Sequence, residues 1–125
     1  MYDLRKLTTR LIENDFSVQI ETSGTFEVKC DNRTWVTLSP KVNMRGGYTV
    51  LTQAIERANE VKHPIAMKKH IEELDALLAR RSTPIRDVCL QPISQQTRAT
   101  QLAIETCIAR NWRLSLQTHK YLGIA

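Results

Sequence analysis

Apolar residues recur at helical spacing from the start of the chain. Leu4, Leu7, Leu11 and Ile12 fall at i, i+3, i+7 and i+8, which predicts an amphipathic helix with Asp3 placed to cap it. The pattern then shortens: SVQIET (17–22) reads as a strand, and TFEVKC and RTWVTLSP as two further strand-like pieces, the last broken by Pro40. KVNMRGG is a loop in which Gly46 and Gly47 tolerate positive φ. Tyr48, Leu51, Ile55 and Ala58 restore the helical period, and EVKHPIA after them has the length of a short strand. Ile71, Leu74, Leu77 and Leu78 form another helical stripe ending near Arg80 and Arg81, where cations suit a helix C-terminus. DVCLQPI (87–93) is nearly all apolar, as expected of a strand covered on both faces. Thr97 is placed to cap a helix through Leu102, Ala103, Cys107 and Ile108. Finally Trp112, Leu114 and Leu116 alternate with Arg113, Ser115 and Gln117, the signature of a half-buried strand.

Strands alternating with helical stripes imply βαβ units and a mainly parallel sheet, so the predicted class is α/β. At 125 residues the chain suits one domain, without repeats or linkers. No window is apolar enough to span a membrane, and MYDLRKLTTR lacks the core of a secretion signal, so a cytoplasmic protein is expected. The net charge of +5 invites a nucleic-acid reading, but the basic residues are scattered and aromatics are only 6% of the chain, so direct nucleic-acid binding is not expected. Cys30, Cys89 and Cys107 are isolated from one another and from any histidine pair; they read as reduced, small core residues, and no metal site is visible.

Open α/β sheets bind ligands beyond the carboxyl ends of their strands. Polar clusters occupy those ends here: Glu21-Thr22-Ser23-Gly24-Thr25, Ser39-Pro40-Lys41, Gln91-Pro92-Ile93-Ser94 and Gln117-Thr118-His119-Lys120. ETSGT alone is ordinary turn chemistry. Glu21, Lys41 and His119 add a carboxylate, an ammonium and an imidazole, able together to bind a polar heterocycle or a carboxylated ligand and to move protons. His63 and His70 read as solvated residues in or beside helical surface. Spacing alone supports a ligand-binding rim and no particular reaction.

ETSGT, SPK-x-NMRGG, LQPIS and the closing RLSLQTHKYLGIA, in that order and at compatible spacing, resemble the C-terminal portion of 7-carboxy-7-deazaguanine synthase, a radical S-adenosylmethionine enzyme of queuosine and 7-deazapurine biosynthesis. The resemblance implies part of a radical-S-adenosylmethionine partial (β/α) barrel, with the cofactor at its open carboxyl edge. It implies conversion of 6-carboxy-5,6,7,8-tetrahydropterin to 7-carboxy-7-deazaguanine by ring contraction with loss of ammonia, using S-adenosylmethionine, a 4Fe–4S cluster and Mg²⁺. Carried over by position, Ser39, Pro40, Lys41, Gln91, Pro92, Ile93 and Ser94 would line the S-adenosylmethionine site. Glu21 and His119 would face the pterin and handle protons, and the terminal carboxylate of Ala125 would reach the substrate.

The family's cluster loop, CxxxCxxC, and its GGEP motif do not occur in these 125 residues, and three scattered cysteines cannot converge on one cuboidal cofactor. The expectation is therefore a catalytically silent chain when isolated, one that self-associates, as a homodimer or with a missing N-terminal half, or is marginally stable. The alternatives are a non-catalytic pterin- or nucleotide-binding remnant and a basic nucleic-acid-associated protein.

Overall fold

The computed structural model describes residues 3–41, 49–93 and 96–116. Its elements run α1 (Arg5–Glu13), β1 (Gln19–Thr22), β2 (Trp35–Leu38), α2 (Thr52–Arg57), β3 (Glu60–Ile65), α3 (Lys68–Leu78), β4 (Asp87–Pro92), α4 (Thr97–Arg110) and β5 (Arg113–Leu114). The five strands form one sheet in chain order, β1-β2-β3-β4-β5, with every neighbouring pair parallel. The predicted α/β class and parallel sheet are what the chain adopts.

The core lies on one side of that sheet. Leu38, Val61, Ile65, Val88 and Leu90 point from the strands into a cluster with Ile55 and Ala58 after β2, Ile71 and Leu74 on α3, and Ala103 and Cys107 on α4. A second cluster of Val28, Cys30, Val36 and Ala54 takes in Leu4, just before α1, and Ile20 of β1. Small residues on α4 (Ala99, Ala103 and Cys107) let that helix approach the strands closely.

Several expectations are corrected. TFEVKC is not a strand: the side-chain amide of Gln53 donates to the Val28 carbonyl at 2.8 Å and accepts from the Val28 N–H at 2.7 Å, so a side chain takes the bonds that a ladder would have made. On α1 the inward stripe is rotated, with Thr8 buried and Leu7 56% exposed. The Thr8 hydroxyl is satisfied there, donating to the Leu4 carbonyl at 2.7 Å and accepting from the Asp31 N–H at 2.8 Å. Asp3 flanks the helix start and accepts from the Arg5 N–H at 3.0 Å, whereas the cap position itself falls on Leu4. Thr97 is the first helical residue of α4 and not its cap, which falls on Gln96. Ile108, expected on the buried stripe, is 78% exposed.

His63 and His70 overturn the solvated reading. His63 lies on β3, His70 on α3, and both are buried. His70 Nδ1 accepts from the Ala66 N–H at 2.9 Å and the Met67 N–H at 3.3 Å, holding two backbone donors at the start of α3. EVKHPIA, read only as a short strand, supplies the central strand of the sheet. The Gly46–Gly47 loop lies outside the described residues.

Candidate functional site at the open face of the sheet

Side chains alternate across a strand, and parallel partners in register share a face. With Val36 and Leu38, Val61 and Ile65, and Val88 and Leu90 turned to the helices, the other face carries Gln19 and Glu21, Trp35 and Thr37, Glu60, Lys62 and Pro64, Asp87, Cys89 and Gln91, and Arg113. One face is thus apolar and helix-covered, the other mostly polar. The buried side chains of α2, α3 and α4 all join the clusters on the apolar face.

Hydrogen bonds cross this face in two rows. Toward the amino ends, Gln19 Nε2 donates to Thr37 Oγ1 at 3.1 Å, and Thr37 donates to Glu60 Oε1 at 3.0 Å. Glu60 Oε2 is paired with the Arg113 guanidinium. Thr37 and Glu60 are buried, so satisfying their oxygens matters more than the gross strength of each bond. One step nearer the carboxyl ends, Ser39 Oγ donates to Glu21 Oε1 at 3.0 Å. The Ser39 N–H bonds the Thr22 carbonyl at 2.8 Å, extending the β1–β2 ladder past its last paired residues and fixing the hydroxyl beside the carboxylate.

At β4, Gln91 is half-buried on the polar face opposite Pro64, and the Ile93 N–H bonds the Ile65 carbonyl at 2.8 Å. Cys89 is buried in the same face; burial pushes its thiol pKa up, and the nearby Lys62 charge opposes the rise.

Of the residues singled out in the sequence, Glu21, Ser39 and Gln91 share the polar face, and Glu21 and Ser39 are in direct contact. Pro40 is buried next to Ser39, and Lys41 follows, exposed. Pro92 is buried on the opposite face, in register with Ile65, and Ile93 is partly exposed just beyond β4. Ser94, His119 and Ala125 lie outside the described residues, as do Gln117, Thr118 and Lys120. Sequence reasoning passed over Lys62 and the Gln19–Thr37–Glu60–Arg113 row; the period-two alternation of Glu60, Lys62 and Pro64 against Val61, His63 and Ile65 was the available signal. A cleft of about 510 Å³ lined by Asp75, Leu78, Arg81, Ile85 and Trp112 lies near the amino end of β4 and contains none of these residues.

Comparison with known proteins finds similarity along the whole chain. The whole chain is 64% identical to 7-carboxy-7-deazaguanine synthase of Escherichia coli (strain K12), covering 56% of that protein. The protein of the same name from Buchnera aphidicola is 43% identical over 99% of the chain and 55% of its own length. The crystal structure of QueE from Escherichia coli superposes with a TM-score of 0.87 at 62% identity, over 93% of this chain and 51% of that one. The chain is thus similar along its whole length to part of 7-carboxy-7-deazaguanine synthase. It spans about half the length of the curated synthases it matches. No family model matches it.

Over the matched residues, the strands and helices follow the arrangement of that Escherichia coli structure. An iron–sulfur cluster does not fit the residues present. Cys30, Cys89 and Cys107 are free and buried, and no three His, Cys, Asp or Glu groups converge as metal ligands among the described residues. No helix among the described residues is long and apolar enough to cross a membrane.

Proposed function

We propose that the polar face is the part of the 7-carboxy-7-deazaguanine synthase ligand site carried by these residues, receiving S-adenosylmethionine and 6-carboxy-5,6,7,8-tetrahydropterin for ring contraction to 7-carboxy-7-deazaguanine. The observation that carries this reading is the Glu21–Ser39 contact at 3.0 Å at the carboxyl edge of two adjacent parallel strands. Two polar residues from separate strand-end clusters, eighteen positions apart, meet where open α/β sheets bind ligands.

S-adenosylmethionine would supply hydrogen-atom abstraction only after one-electron cleavage by the family's cluster. The chain's own residues bind and orient. Ser39 holds Glu21 Oε1, leaving Oε2 without a hydrogen-bond partner among the described residues and available to a pterin N–H or to a proton in transit. Gln91 presents both a donor and an acceptor from the half-buried floor. Lys41, Pro40 and Ile93 border the cofactor; Ser94, His119 and Ala125 lie outside the described residues. The iron–sulfur cluster and Mg²⁺ belong to residues other than those described here, so the isolated chain binds without turnover, in the cytoplasm, and a partner segment or second subunit completes the enzyme.

Isothermal titration of this 125-residue chain with each ligand tests the reading. Heat with at least one ligand, diminished in Glu21→Gln, is the expected result; no heat with either overturns it. Anaerobic iron and sulfide should produce neither a cluster absorption band nor turnover, and their appearance would refute silence. The outcome also separates a binding remnant from a working enzyme.

A further inference from the structure

We propose that Lys62 is the carboxylate-receiving group of the open face, a role that rests on that face being the ligand site. Lys62 sits on the central strand of the sheet, half-buried, with its Cα paired to Cys89 across the ladder. Alternation places it on the polar side, because Val61 and Ile65 on either side of it face the helical core. Its charge reaches Cys89, where it favours the thiolate against burial.

The nearest acid on its own strand is already committed. Glu60 gives one oxygen to the Thr37 hydroxyl and the other to the Arg113 guanidinium. Across the face Glu21 accepts from Ser39. Lys62 itself forms no ion pair among the described residues. Arg113 is neutralised by Glu60, so within the strands of the described polar face Lys62 is the cation without an ion-pair partner, Lys41 lying exposed beyond the end of β2.

A partly desolvated ammonium without an acid partner favours an incoming anion more strongly than a surface lysine does. Both ligands of the proposed reaction carry a carboxylate: the amino-acid end of S-adenosylmethionine and the 6-carboxyl of the tetrahydropterin. Lys62 binds one of them, and the two sources are experimentally separable.

The test compares Lys62→Met and Lys62→Arg with the wild-type chain by calorimetry against two ligand pairs. The first pair is S-adenosylmethionine and 5′-methylthioadenosine, which lacks the amino-acid carboxylate. The second is the 6-carboxytetrahydropterin and the same pterin without its carboxyl. Lys62→Met should weaken the carboxylated member of one pair roughly ten- to hundredfold, leave the carboxylate-free member within about twofold, and be largely rescued by Lys62→Arg; the affected pair names the source. Unchanged affinity of Lys62→Met for both carboxylated ligands overturns the proposal while leaving the ligand-site reading intact. Should the wild-type chain bind none of the four, the ligand-site reading fails, and amine acylation decides on Lys62 alone. Acetate shielding Lys62 severalfold relative to exposed Lys29 sustains an anion site, and equal labelling overturns it. The acylation measurement needs no variant, so a poorly folding Lys62→Met does not remove the test.

Discussion

Gly24 turns the chain out of β1 with a φ of +78°, and a Cβ built there would lie 2.5 Å from Leu38 Cδ1 and 2.9 Å from Val50 Cγ1. Both the backbone conformation and the space exclude a side chain. The Gly24 N–H bonds Thr22 Oγ1 at 3.1 Å, and its carbonyl accepts from Leu51 at 2.8 Å, so the turn ties the carboxyl edge of β1 to the start of α2. Gly24→Ala should destabilise the fold by about 2–4 kcal/mol, read as a lowered urea midpoint, and should loosen the Glu21–Ser39 contact beside it. A midpoint unchanged from wild type would show that the turn relaxes freely. In ETSGT the sequence displays the turn chemistry and the carboxylate, but the Leu38 contact that makes glycine obligatory is absent from local pattern. The Glu21 and Ser39 choices were legible because strand ends are; their mutual hydrogen bond was not, because register is a property of two strands.

Among the elements, periodicity located the strands that became β1, β2, β3 and β4, and the helices, and failed where a side chain replaced a backbone partner. TFEVKC has strand composition, yet Gln53 satisfies Val28. His63 failed for a related reason: a histidine within EVKHPIA looks polar, while strand alternation turns it into the core beneath α3. Neither of its ring nitrogens meets a hydrogen-bond partner among the described residues. Burial holds the His63 pKa below its ordinary value of 6.5; Glu73 opposes the shift and His70 adds to it. A histidine depressed in this way is neutral when folded, and the unfolded chain binds more protons as the medium acidifies. Stability is therefore full above about pH 6.5 and declines as pH falls through the range where the unfolded imidazole protonates, levelling below the folded value. Thermal melts from about pH 7.5 to 5 should show this decline, and His63→Leu should flatten it. An identical slope in the variant would assign the acid sensitivity elsewhere. Asp3 and Asp31 are no confounders, because bonding to Arg5 and Arg33 holds their pKa values well below that window.

As a whole molecule, the sheet leaves β1 paired on one side only among the described strands. Exposed apolar side chains flank that edge: Phe16 just before β1, Phe26 after its turn, and Trp35 opposite Gln19. An open parallel edge beside apolar surface recruits another chain. Light scattering on the isolated chain should show mass rising with concentration, and Phe16→Lys with Trp35→Lys should suppress it; a monomer at all concentrations would refute the edge as an association surface. The core is buried because α2, α3 and α4 cover the sheet's apolar face, whereas Phe16, Phe26 and Trp35 lie outside that cover.

The amino-acid sequence by itself determined the alternation of strands and helices, the parallel sheet that such alternation requires, and the polar strand ends. Each follows from local periodicity and from the short reach of its connections. Its ordered motifs also carried the family resemblance. Only the tertiary structure decided that Glu21 bonds Ser39, that Glu60 is consumed by Thr37 and Arg113 while Lys62 stays uncommitted, and that two histidines are buried. Those facts depend on register and on which face each strand turns to the helices, and both are set by contacts between residues far apart in the chain.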